Sequence, residues 1–122
     1  MIEQLKDVPA NMVAFKASGK VDERDFELVQ DEVSEIVEKT GKLNYLLELD
    51  TDISNFTAGA WLQDMLLGLK HITKWNRAAI VTDSENIQKF TDLFSHIMPG
   101  EFRGFPKTEL AYAINWTAEK TI

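Results

Sequence analysis

The chain has 122 residues, 44% of them apolar, a net charge of −7 and no cysteine. That length is one ordinary domain, 1–122, able to bury roughly two thirds of its unfolded surface without a staple. The composition excludes disulfides and thiolate metal sites. It also opposes nonspecific nucleic-acid binding, which needs clustered Lys and Arg.

The opening residues carry no apolar core of signal-peptide type. No run approaches the roughly 20 apolar residues of a membrane span. The expected setting is cytoplasmic. No internal repeat, low-complexity tract or linker divides the sequence.

Ile2 to Lys6 is a candidate short strand, and Val8-Pro9-Ala10-Asn11 carries turn residues. Met12 to Ser18 alternates, with Val13, Phe15 and Ala17 on one face, as a strand requires. Asp22 is the expected N-cap of a helix with Phe26, Val29, Val33, Ile36 and Val37 at helical spacing. Gly41 suits its end. Leu43 to Leu49 then reads as a buried strand.

Ala58, Trp61, Leu62, Met65, Leu66, Leu69 and Ile72 give the strongest helical periodicity, predicting a helix over 58–73. Arg77 to Asp83 reads as a second buried strand. Ser84 caps a predicted helix over 85–98, with Ile87, Phe90, Leu93, Phe94 and Ile97. Met98-Pro99-Gly100 stops it. Glu101 to Phe105 is a short strand, and Pro106 opens a last helix through Leu110, Ala113, Ile114 and Trp116. The order ββαβαβαβα predicts an α/β domain with a mixed, mainly parallel sheet of about five strands and four flanking helices.

Three stretches carry a family resemblance: Gly68 to Ile72 followed by Arg77 to Asp83; Pro99 to Pro106; and the tail Glu109, Leu110, Ala111, Ala113 and Trp116. In this order and spacing the chain resembles the SpoIIAA-like proteins, relatives of the STAS domain. The resemblance implies a bacterial, STAS-related fold shared with CRAL-TRIO lipid-binding domains. STAS antagonists of anti-sigma factors bind a partner kinase and are phosphorylated on Ser or Thr at the start of the helix after the third strand. Thr57 and Ser54 are the hydroxyls nearest that position. The Asp-Ser pair of the motif is missing, and Thr57 as a simple helix cap is the competing reading.

Asp50, Asp52 and Asp83 lie near strand ends, where parallel sheets tend to place ligand sites and carboxylates can hold Mg²⁺. Each also suits a turn or cap, no lysine is clearly placed to complete a receiver-type site, and no metal or other cofactor is expected. His71 and His96 are the histidines able to act as bases, and no nucleophile elbow or zinc-binding helix motif accompanies them.

The apolar face of 58–73 is wide, because Leu67 lies outside the main stripe. Trp61, Met65, Leu66 and Leu67, with Phe90, Phe94, Ile97 and Met98, form the candidate surface for a lipophilic small molecule, a protein partner or a homodimer. Lys70, Lys74, Arg77, Arg103 and Lys107 are candidates to attract an anionic head group. The expected function is a noncatalytic binding or regulatory module. The alternatives are a phospho-regulated antagonist and an uncharacterised hydrolase or transferase.

Overall fold

The computed structural model describes residues 1–19, 22–50, 74–83 and 100–119. Five strands, β1 (Ile2–Gln4), β2 (Val13–Ser18), β3 (Leu43–Asp50), β4 (Trp75–Val81) and β5 (Glu101–Phe105), form one sheet in the order β1-β2-β3-β4-β5. Helix α1 spans Glu23–Thr40. A 3-10 turn over Lys107–Glu109 leads into helix α2, Leu110–Thr117.

The sheet is mixed. β1 runs antiparallel to β2, with Ile2 opposite Ala17; β2, β3, β4 and β5 are parallel to their neighbours. The sheet is mixed, as expected, rather than mainly parallel, because the tight opening connection can return the chain only in the opposite direction. Of the four helices expected, two α-helices lie among the described residues. The helices expected over 58–73 and 85–98 fall outside them.

The α1 boundaries follow from its caps. Asp22 accepts hydrogen bonds from the N–H groups of Arg24 and Asp25, and the Asp25 carboxylate accepts from the Asp22 N–H in return. Gly41 ends the helix with φ +81°, a left-handed conformation that costs a side-chain-bearing residue strain. Pro106 opens a 3-10 turn rather than the α-helix expected of it, and α2 begins at Leu110.

The sheet is buried on both faces, which explains the nearly continuous apolar runs of β3 and β4. On one face Val29, Val33 and Ile36 of α1 pack with Phe15, Tyr45, Leu47, Trp75 and Phe102. Aromatic rings cross all four parallel strands there: Phe15 to Tyr45 at 5.7 Å, Tyr45 to Trp75 at 5.7 Å, Trp75 to Phe102 at 5.0 Å. On the other face Ala113 and Ala118 close over Met12, Ala14, Leu46, Ala79, Val81 and Phe105.

At the N-terminal end of the parallel strands the pairing shifts. Leu43 faces Trp75 but Asn44 faces Arg77, so the register skips Asn76. Asn76 Nδ2 donates to Asn44 Oδ1 at 2.8 Å, and Asn44 Nδ2 donates to the Asn11 carbonyl at 3.2 Å. Asn44 is fully buried, and this network satisfies it. Gly100 packs against the same irregularity: a Cβ there would lie 2.9 Å from the carbonyl oxygens of Trp75 and Asn76.

Two stability outcomes follow. Gly100→Ala combines that clash with φ +92° and is expected to cost at least about 2 kcal/mol in urea unfolding. A loss under half of that would contradict the close approach. Asp25 is the second case. Burial alone would raise its pKa, but N–H groups of Asp22 and Ile2 and the Met1 ammonium outweigh it, and the pKa is lowered. A depressed folded pKa contributes stability above the unfolded carboxylate pKa, lost as pH falls through the folded value. Asp25→Ala should therefore destabilise at neutral pH by about 1 kcal/mol or more, and the difference from the parent should shrink on acidification. Melting curves between neutral and acidic pH would show it; a pH-independent difference would be the contrary result.

Candidate functional site

β2, β3, β4 and β5 end at one edge of the sheet. β3 contributes Asp50 there, the residue after its buried Leu49. The chain leaving β5 passes Pro106 and brings Lys107 back across that edge. Lys107 Nζ donates to Asp50 Oδ1 at 2.7 Å. Its backbone N–H donates to Asp83 Oδ1 at 3.0 Å, which fixes the turn leaving β5 against the end of β4. From the other side Lys16 of β2 places Nζ 3.5 Å from Asp50 Oδ2. One carboxylate thus faces two ammonium groups, one from β2 and one from the turn after β5. The Asp50 side chain is 48% exposed, so the group remains open to solvent.

The charges reinforce each other. The hydrogen bond from Lys107, the charge of Lys107 and the charge of Lys16 hold Asp50 below the usual carboxylate range. The Asp50 hydrogen bond raises the Lys107 pKa against the opposing effect of burial, and the charges of Asp50, Asp83 and Glu48 add to it. Both groups are therefore ionised across the physiological range. Such a carboxylate is a poor proton acceptor, and a good recognition charge.

Of the acids weighed as metal ligands, Asp50 takes the Lys107 ammonium as its cation and Asp83 takes a backbone N–H; Asp52 lies outside the described residues. Among the described residues no group of three His, Asp or Glu side chains is placed to hold a metal ion. A lysine does stand at the matching strand end, contrary to the sequence reading. The signal for it was positional: Lys107 follows a short parallel strand by two residues, so it must emerge at the edge where Asp50 emerges.

The basic residues expected to act together are separated. Arg77 donates to the Trp116 carbonyl at 2.6 Å, stacks 4.9 Å over the Trp116 ring and lies 3.8 Å from Glu101 at the start of β5. Arg103 stacks over Phe105 and the exposed Tyr112. Neither joins Lys107. Lys70, His71 and His96 are outside the described residues. So are Ser54 and Thr57, and all of Trp61, Met65, Leu66, Leu67, Phe90, Phe94, Ile97 and Met98. Among the described residues, no helix is long and apolar enough to cross a membrane.

A family model described as SpoIIAA-like matches residues 12–118. Among solved structures, the chain is similar to an uncharacterised protein of the DUF3478 family, with a SpoIIAA-like fold, from Shewanella loihica PV-4. The identity is 30%, over 96% of this chain and 90% of that one, with a TM-score of 0.59. No curated protein matches.

The expected titration of the site is specific. Lys107→Met should raise the Asp50 pKa toward the ordinary carboxylate value, while Lys16→Met should raise it less, in the order of their contacts. Carboxyl-detected NMR titration measures both shifts. An Asp50 pKa unchanged in Lys107→Met would refute the arrangement.

Proposed function

The chain belongs to the SpoIIAA-like family, and from that premise we propose that it is a noncatalytic binding or regulatory module. Its working edge is the charged end of the parallel strands. The observation that supports this reading is Asp50 between Lys107 and Lys16. An anion clamped by two cations suits recognition better than proton transfer, because its low basicity removes it as a general base. A partner or ligand presenting its own charge can compete for either lysine or for the carboxylate.

The occupant we propose is a protein partner or a lipophilic small molecule. Trp61, Met65, Leu66, Leu67, Phe90, Phe94, Ile97 and Met98 would supply the apolar contacts and the charged edge the orientation. A cytoplasmic, bacterial setting and a homodimer belong to the same proposal. Regulation through a phosphoryl group on Thr57 or Ser54 is the second reading. It is favoured by the two lysines at the end of β3, because those hydroxyls follow Asp50 by only a few residues in sequence.

Native mass spectrometry and size-exclusion chromatography of the purified chain test the proposal. The expected result is a ligand-bound or assembled species whose population falls when Lys107→Glu reverses the edge charge, at an unchanged melting temperature. A strictly monomeric, ligand-free protein, indifferent to that substitution, would overturn it.

A further inference from the structure

The helices on the two faces of the sheet differ in character. α1 is acidic, with Glu27, Asp31, Glu35 and Glu38 all exposed along it. α2 carries no charged side chain, in a chain that is 27% charged. Its outward side presents Ala111 and Tyr112, with Asn115 half-buried. Tyr112 is 44% exposed; among the described residues Met1 is the other large apolar side chain so placed.

Arg103 lies beside Tyr112. Its guanidinium stands 4.9 Å over the Phe105 ring and 5.9 Å over the Tyr112 ring. Of the basic side chains carried by the strands, Lys16 and Arg77 face carboxylates, and Arg103 faces none among the described residues. Glu109 comes three residues before Tyr112, close to it around the helix. It is exposed and has no ion-pair partner among the described residues either.

An uncharged centre with a tyrosine and an oriented arginine is the composition of an interface core rather than of ordinary surface. Charge selects the occupant. A net charge of −7 repels a second copy wherever acids face outward, as along α1, and that repulsion is weakest at α2. A two-fold contact uses the same patch twice, so one unpaired cation and one unpaired anion supply two complementary pairs.

We infer that α2 and Arg103 form the contact surface of a two-fold homodimer, with Tyr112 at its centre and Arg103 of each copy paired to Glu109 of the other. The inference rests on the binding-module reading and names the surface through which a second copy binds, without using the Asp50 cluster. A short helix offers little area, so the dimer is weak and reversible.

The test is sedimentation velocity of the full chain at rising concentration. The expected result is a monomer–dimer equilibrium. Arg103→Glu and Glu109→Arg should each weaken it by about tenfold or more, because like charges then meet across the two-fold. The double variant should recover most of that loss. Circular-dichroism melting confirms that each variant is folded. The parent chain supplies a second measurement that needs no variant: hydrogen-exchange protection over 108–115 should rise as the dimer forms. A monomer at every concentration, a dimer indifferent to both single substitutions, a double variant no tighter than either single one, or unchanged protection over 108–115 would overturn the inference. Assembly lost in Lys107→Glu but kept in Arg103→Glu would also overturn it, and would leave the binding-module reading standing.

Discussion

Parallel pairing from β2 to β5 is the constraint on which this molecule depends. Parallel strands must all end at one edge, whatever their sequences. Residues far apart in the chain are brought together there by topology: Lys16 two residues before the end of β2, Asp50 at the end of β3, Asp83 just past β4 and Lys107 just past β5. The strand order runs from β1 to β5 without reversal, so no switch-point crevice opens among these strands. The edge is a row of polar ends instead, and chemistry in the described part of the chain is confined to what those ends carry.

Building such a sheet requires both faces to be covered, and the cost of burying polar groups then decides where they are allowed. Asn44 is fully buried at the start of β3 and is tolerated because Asn76 and the Asn11 carbonyl complete its hydrogen bonds. Around it Lys42 pairs with Glu119, Arg77 holds the Trp116 carbonyl, and Asn11 holds the Ala118 carbonyl. Glu119 accepts this role at φ +59°, an uncommon conformation for a residue with a side chain. The two ends of the strands thus divide the polar work. The N-terminal end ties the chain after α2 to the sheet through fitted hydrogen bonds. The C-terminal end leaves its charges half in solvent. Tyr45, sealed under the α1 face with burial pushing its phenol above the usual range, has no part in either end's titration near neutrality.

Much of the fold was legible because its signals are local. Asp22 and Gly41 bound α1 through caps that need only neighbouring residues, and the apolar run of β3 and the short β5 were readable for the same reason. β4 begins at Trp75 rather than at Arg77, because Trp75 is drawn into pairing with Leu43 and into the ring contacts with Tyr45 and Phe102. None of these three partners is near it in sequence. Pro106 fixes its own φ but cannot choose between a 3-10 turn and an α-helix; the hydrogen bond from Glu109 back to its carbonyl makes that choice. At the site, Asp50 and Asp83 could be named from their turn chemistry. Lys107 could not be paired with them from periodicity; only its position two residues past β5 placed it at their edge.

The same reasoning changes what the acids at this edge mean. As a list of carboxylates, Asp50, Asp52 and Asp83 invite a divalent cation. In three dimensions the cation that Asp50 meets is supplied by the chain itself, as Lys107, with Lys16 behind it. A resident lysine differs from a bound metal in a way that matters for regulation. It is tethered, cannot be diluted away, and keeps its charge over the whole range in which its pKa is raised and that of Asp50 lowered. The edge is therefore always charged and always paired. Any change in its state must come from a group that competes for those lysines, and an added phosphoryl group or an acidic partner has the charge to do so.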